Sequence, residues 1–292
     1  MILVVGATGR TGQHIVDHLL AGGQPVRILT RPTSSVPHHW SAVERVPGDL
    51  DDPASLHRAL SGVDGLFVVS PMDPALDRLE RNAFDAAAGA GTSHVVKMST
   101  TKPEAQSPIP WWRAHWRSEE ALRLSGLAWT ILRPNGISYF LLEHAGGVRE
   151  QGILRTAAGD GRMALIDADD IGAVTARIFA DPGRYAGEVL DLTGPEAVSY
   201  ADVADILTRV TGRSVTHVDI TADDGRALLL NYGFKDWEAE GMVANWQMTR
   251  DGSGGFDRVT DVVARIGGRR PLGVDVFLTA HRDAFAPAAR VQ

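Results

Sequence analysis

Seven residues near the amino terminus constrain this chain more than any other stretch. Gly6-Ala7-Thr8-Gly9-Arg10-Thr11-Gly12 follows directly on the apolar run at residues 2–5 and leads into apolar residues at helical spacing over 12–21. Glycine at the first position permits a tight strand-to-helix turn, at the second lets the backbone approach a diphosphate, and at the third lets helix and strand pack closely. The amides that open the helix then face phosphate oxygens, and the helix dipole favours that negative charge. A glycine triplet alone is a weak signal, because a bare strand-helix turn uses the same residues. Its placement between a strand and a helix points to a dinucleotide cradle, with Gly6, Ala7, Thr8, Gly9, Arg10, Thr11 and Gly12 as contacts.

The first half continues the alternation of short apolar runs and amphipathic stretches that marks a βαβ series. Strands are expected at 26–30, 43–46, 65–69, 94–98 and 128–133, with helices at 54–60, 75–90 and 112–124. Later come a helix at 169–179, a strand at 189–192 and a helix at 199–211, which Ser199 and Asp202 open at capping-box spacing. The fold class is α/β: a Rossmann-like, doubly wound parallel sheet over 1–150, with strand and helix returns over about 165–215. From about 216 to 292, with neighbouring loops, a smaller and mostly helical lobe is expected to cover a substrate. The polar, glycine-rich stretch 249–255 reads as a mobile loop.

Composition removes several function classes. With 292 residues the chain can bury one large core or a core with a small lobe. A net charge of -7 argues against nucleic-acid binding, which needs a basic face. The absence of cysteine excludes disulfides, thiolate nucleophiles and cysteine-bound metals, and suits a reducing compartment. No basic leader opens the chain and no stretch has the length of a membrane span, so a soluble, cytoplasmic protein is expected.

The tip of the second strand speaks to cofactor choice. An acidic residue there would grip the ribose hydroxyls of NAD, whereas arginine accommodates a 2′-phosphate. The sequence has Thr30-Arg31-Pro32, which favours NADP(H) over NAD(H), and Arg10 supplies a second guanidinium for the same phosphate. Asp49 and Leu50, after the third strand, are assigned to the adenine end, while Asp52-Pro53 is built as a helix start. No metal site is expected: His38-His39 has no carboxylate at ligand spacing, and Asp167, Asp169 and Asp170 read as helix caps.

Five ordered blocks carry a resemblance to the atypical short-chain dehydrogenase/reductases of the NmrA-like group. They are GATGRTG, GDLDDPASLHRALSGVDGLFVVSP, HWRSEEALRLSGLAWTILRPNG, GDGRMALIDADDIGAV and GEVLDLTGPEAVSYADVADIL. Together they cover nearly the whole chain, and the H-x-x-x-E unit of His115 and Glu119 is similar to that of NAD(P)H:quinone oxidoreductase-type members. The resemblance implies NADP(H) bound along the carboxyl ends of the strands. It also implies Val69, Ser70 and Pro71 beside the nicotinamide-side ribose, Ser99 and Thr100 beside the ring, and Pro134 and Asn135 across from it. The group divides into reductases of quinones or other small molecules and cofactor-sensing regulators.

Ordinary short-chain reductases use a Tyr-x-x-x-Lys pair in which lysine lowers the tyrosine pKa. None of the four tyrosines (139, 185, 200 and 232) has lysine four residues on. By family spacing Trp111 stands near the tyrosine position and His115 near the lysine position. Three groups remain as catalytic candidates. His115 could donate a proton, oriented by Glu119 one turn later, or hold the nicotinamide ribose. Ser99 could polarise a carbonyl, and Tyr139 could bond a substrate oxygen. Trp111, Trp112, Trp116 and Trp129 suggest an aromatic pocket or ordinary packing, to which Asn231 to Phe234, Trp237 and Asn245-Trp246 of the lobe would add. The resulting expectation is an NADP(H)-dependent oxidoreductase acting on a small aromatic, quinone-like or carbonyl substrate. Two alternatives stay open: a non-catalytic NAD(P) sensor with a protein partner, and a cofactor-retaining isomerase. The expected partner is a small molecule, not nucleic acid or membrane, and a homodimer stays open.

Overall fold

Strands made of Ile-Leu-Val-Val and Gly-Leu-Phe-Val have no polar face, so they can lie only in a sheet covered on both sides. The computed structural model, which describes residues 1–286, contains that sheet. Its first six strands are β1 (Ile2–Val5), β2 (Val26–Thr30), β3 (Glu44–Pro47), β4 (Gly65–Val68), β5 (His94–Met98) and β6 (Trp129–Pro134). Two short strands, β7 (Ile153–Thr156) and β8 (Arg162–Met163), precede the seventh member, β9 (Glu188–Leu192). The order is β3-β2-β1-β4-β5-β6-β9 and every pairing is parallel. The chain reverses direction across the sheet between β1 and β4, which opens the crevice used by ligands in such folds.

Helices α1 (Arg10–Ala21), α2 (Pro53–Leu60), α3 (Leu76–Ala90) and α4 (Pro110–Leu124) connect the first six strands. Successive residues of β1 point to opposite layers. Ile2 and Val4 enter one core cluster with Ile15, Val16 and Leu19 of α1, and Leu3 and Val5 enter another with Leu56 and Phe84. Gains of one or two residues at helix starts have local causes. Asp52 accepts from the Ala54 amide at the head of α2, and Pro110 occupies the first turn of α4, where its missing N–H costs nothing.

A second core lies beyond the sheet. It gathers α5 (Ala145–Gln151), β7, the helix α7 (Tyr200–Thr211), α8 (Ala222–Asn231), α9 (Asp236–Arg250), α10 (Val274–Ala280) and α11 (Arg282–Phe285). Of the returns expected over about 165–215, α6 (Ala168–Ala180) and β9 rejoin the sheet, whereas α7 packs into this second core. The capping box of α7 is present, with Ser199 and Asp202 bonding reciprocally, and Asp167 caps α6. Two pairings have no counterpart in the sequence reading: β7 with β11 (Thr216–Asp219), and β8 with β10 (Val198–Ser199). The stretch expected as a loop over 249–255 has one bond to the sheet side, and Phe256 just beyond it has another. Lys102 Nζ donates to the Ser253 carbonyl at 2.9 Å, and Asn135 Nδ2 to that of Phe256 at 2.6 Å.

One buried group gives this second core an acid limit. His144 meets Tyr200 edge-on at 5.7 Å, and desolvation, followed by the neighbouring His217, lowers its pKa to about 4. The folded chain then binds fewer protons than the unfolded one below the free value of about 6.5. Its contribution is complete above that pH and is lost as pH falls toward 4, about 3 kcal/mol at most. Urea unfolding between about pH 7 and 4.5 should show this slope, and His144→Gln should flatten it.

Candidate active site

The glycine turn has one packed side and one open side. Gly6 adopts φ +80, and a Cβ on it would lie 2.2 Å from the Val69 carbonyl at the end of β4. A Cβ on Gly12 would lie 2.1 Å from the Gly6 oxygen and 2.8 Å from Ala7 Cα, so this glycine sets the closeness of α1 to β1. Around Gly9, by contrast, only the Gly6 oxygen comes near, at 3.2 Å. Gly9 is the N-cap of α1, no side chain caps the helix, and no acid stands in its first turn. The first amides of α1 therefore face an open cradle suited to a diphosphate. Ala7, Thr11 and Gly12 are buried in the turn's packing, while Thr8, Gly9 and Arg10 stand on its accessible side.

Arg10 does not join Arg31. Its Nη1 lies 3.3 Å from Glu143 Oε1, and its guanidinium sits 5.3 Å over the Tyr139 ring, both in the segment after β6. As the first residue of α1 it reaches across the turn to the far side of β1, where a carboxylate and an aromatic face hold it. Arg31 alone stands exposed at the tip of β2. After β3, Asp49 Oδ1 accepts from the Asp51 amide at 3.1 Å, and Leu50 is buried.

Beside the cradle, beginning at the Val69 against which Gly6 packs, a cleft of about 240 Å³ lies over the carboxyl ends of β4, β5 and β6. Val69, Ser70, Ser99, Thr100, Pro134 and Asn135, which the resemblance assigns to a nicotinamide site, all line it, as do His115 and Tyr139. Pro71 is not among the lining residues; exposed at the start of its loop, it gives way to Met72. Trp111 and Trp112 line the cleft from α4, whereas Trp116 and Trp129 do not. From the second core come Met163, Tyr200, Met242, Asn245 and Phe256; Trp246 turns away to pack against Gly225. Of the other lobe residues singled out by the sequence, none reaches the cleft.

Beneath the floor lie two buried carboxylates with their own partners. Glu119 is fully buried and accepts from Ser99 Oγ at 2.6 Å, from Arg133 at 2.6 and 3.0 Å, and from Arg123 at 2.8 Å. Burial works most strongly against its ionisation, but the bonds from Arg133 and Ser99 outweigh it and hold the carboxyl below its ordinary pKa. Glu119 therefore orients Ser99 and not His115, which corrects the expected pairing. The guanidinium groups are the stronger partners for a carboxylate. Ser99 in turn has committed its only hydrogen and presents lone pairs to the cleft, so it cannot polarise a carbonyl by donation.

The second carboxylate, Glu80 of α3, accepts from Ser70 Oγ at 2.9 Å and from Ser118, and pairs with Lys97 of β5 at 2.6 Å. Both members of the pair are wholly inaccessible. Lys97 also donates to His115 Nδ1 at 3.1 Å. The sequence held signals for both: a lysine inside the apolar run of β5, and a glutamate on the stripe of Ala83, Phe84 and Ala87 that α3 buries. Asn135 bonds the Phe256 carbonyl and its own neighbour Gly136, fixing the loop that closes the cleft. Tyr139, under Arg10, has its pKa raised by burial.

A model of the NmrA-like family matches residues 1–251. The NAD(P)H azoreductase of Xenophilus azovorans is 32% identical over 289 residues, covering 99% of this chain and 100% of that protein. The (4-alkanoyl-5-oxo-2,5-dihydrofuran-3-yl)methyl phosphate reductase of Streptomyces griseus is 35% identical over 291 residues, covering 98% and 100%. Among solved structures, the NADPH-dependent quinone oxidoreductase of Escherichia coli in complex with NADPH superposes with a TM-score of 0.85 at 26% identity, over 96% of this chain and 99% of that one.

Proposed function

Since the chain belongs to the NmrA-like family, we propose that it is an NADP(H)-dependent oxidoreductase that reduces a small aromatic or quinone-like molecule without a Tyr-x-x-x-Lys pair. The observation that carries this reading is that Val69, against which the first glycine of the open cradle packs, also lines an aromatic cleft over the strand ends. The activities of the azoreductase, the furan-type reductase and the quinone oxidoreductase named above support it. When bound, the dihydronicotinamide supplies hydride.

The chain's own groups divide the remaining work. The amides of α1 and the bare face of Gly9 receive the diphosphate. Arg31 meets the 2′-phosphate. Ser70 and Ser99 each donate to a buried carboxylate and so offer acceptors to hydroxyl or amide groups above them. Trp111 and Trp112 flank a flat substrate and keep water away. A substrate whose reduced anion is protonated by water suits a floor whose serine hydrogens are already committed.

Among the described residues no helix is long and apolar enough to cross a membrane. The cytoplasm as compartment and a homodimer as oligomer belong to this reading, and light scattering on the purified chain checks the second.

NADPH consumption with a panel of quinones, azo dyes and aromatic carbonyls tests the reading. Saturable turnover with at least one is expected; tight NADP⁺ binding with no turnover on any would favour a sensor. Arg31→Asp should weaken NADPH binding by about 10–100-fold, the loss of one charge-assisted phosphate contact, and affect NADH much less. Unchanged NADPH affinity in that variant would remove Arg31 from the site.

A further inference from the structure

We propose that Lys97 is a positioning residue that holds His115 as a neutral imidazole with its hydrogen on Nε2, so that the cleft meets a fixed hydrogen-bond donor in place of an imidazolium acid. The proposal rests on the reading of the cleft as a reductase site, and deepens it. An ammonium has three hydrogens and no lone pair. Lys97 Nζ faces three acceptors: Glu80 Oε2 at 2.6 Å, the Met98 carbonyl at 3.1 Å and His115 Nδ1 at 3.1 Å. Because Nζ can only donate, Nδ1 must carry the lone pair, and the hydrogen of the neutral ring sits on Nε2.

The arrangement is hard to rearrange. Lys97 and Glu80 are both shut off from solvent, and Glu80 is held from its other sides by Ser70 and Ser118. Each packed element presents a defined charge to the ring. Strand β5 contributes Lys97, backed by Glu80 of α3. On α4 itself Glu119 stands one turn on, and β6 contributes Arg133, but these two are joined to each other and to Ser99 and Arg123. No carboxylate is thus left to stabilise a protonated His115. Burial first, and the Lys97 charge second, push its pKa well below the ordinary histidine value. The ordinary use of a reductase lysine is to lower the pKa of a tyrosine acid; here a lysine keeps a histidine from becoming one.

The chemical consequence concerns the proton. A neutral N–H donates a hydrogen bond that strengthens as negative charge gathers on an acceptor oxygen, without losing its proton. For a quinone-like substrate, the hydride would leave a C–H bond of the dihydronicotinamide, which is oxidised to the nicotinamide, and form a new C–H or O–H bond on the substrate. The displaced π pair would rest on the substrate oxygen as an anion stabilised from Nε2, and the balancing proton would come from water. No proton leaves the protein.

Two-bond proton–nitrogen correlation spectra of the wild-type chain labelled in histidine read the tautomer directly, with His115→Gln for assignment. The expected signature is a bare Nδ1 and a protonated Nε2, unchanged between about pH 8 and 5.5. A protonated Nδ1 in the neutral ring, or a midpoint near 6.5, would overturn the proposal. Lys97→Met alone strands the Glu80 carboxylate, so the second arm is the paired change Lys97→Met with Glu80→Leu, which removes both charges at similar volume. It should lower kcat by about 10–100-fold and should let His115 titrate closer to its free value, which a merely structural role for Lys97 would not do. Wild-type kcat and an unaltered His115 spectrum in that variant would refute the positioning role. The wild-type spectrum needs no turnover, so failure of the reductase reading and failure of this one are separable.

Discussion

Valine in place of Gly12 should abolish useful NADPH binding, raising Kd by at least about 100-fold. The Cβ of any larger residue would sit 2.1 Å from the Gly6 carbonyl oxygen and 2.8 Å from Ala7 Cα. Both obstacles are backbone, so neither can swing aside as a side-chain end would. Relief requires α1 to move off β1, which carries the first amides of the helix away from the diphosphate. Two charge-assisted bonds lost at about 1.5–3 kcal/mol each give that factor. Calorimetric titration with NADPH measures it. Gly9→Ala is the informative companion, since its methyl meets only one protein atom, the Gly6 carbonyl oxygen at 3.2 Å, a tight contact that a shift of a few tenths of an ångström relieves. That variant should fold normally and lose affinity through the ligand side alone. Normal NADPH affinity in Gly12→Val would show that the turn tolerates displacement and is not the diphosphate site.

Glu119→Ala should be strongly destabilising, at roughly 3 kcal/mol. A buried carboxylate that balances Arg133 and Arg123 disappears, leaving guanidinium groups with about a quarter of their side-chain surface in water. Breaking a fully buried pair costs about 3–5 kcal/mol, and the partial exposure of both arginines places the expectation at the lower end. For a chain of 292 residues the melting temperature should fall by roughly 5 °C. Glu119→Gln, which keeps an acceptor for Ser99 but not the charge, should lose less. A melting temperature within a degree or two of wild type for the alanine variant would mean the pair contributes little net stability. Acid should weaken the same contact: the folded pKa of Glu119 is depressed, so its stabilisation is complete above the free value of about 4.3 and disappears as pH falls through the lower folded value.

How much of this could be read from the chain depends on the range of the interaction. The sheet was legible because residues such as those of β1 and β4 are buried on both faces and show no polar alternation. The glycine turn was legible because backbone geometry, not partner chemistry, dictates its residues. Strand β7 paired with β11 was not: Ile153–Thr156 contains an arginine and Thr216–Asp219 is largely exposed, so neither forms an apolar run. The helical spacing of His115 and Glu119 was right, but spacing does not reveal competitors. Arg133 and Ser99 arrive from other strands and take the carboxylate. Likewise Lys97 could be seen as an anomaly within β5, while its partner Glu80 lies on a different helix. Arg10 shows the same limit, since a long side chain goes where its tertiary neighbours are.

The two sides of the cleft belong to different cores, the floor to the sheet and the roof to the cluster that includes Met163, Tyr200, Trp112 and Phe256. On the proposed reading, the coenzyme lies over the strand ends and the substrate meets side chains of the second core. Substitutions such as those at Met242 or Phe256 can redraw the accepted molecule while the hydride donor is held as before. On that plan the residues that meet the substrate can differ while the strand ends proposed to hold the coenzyme stay the same.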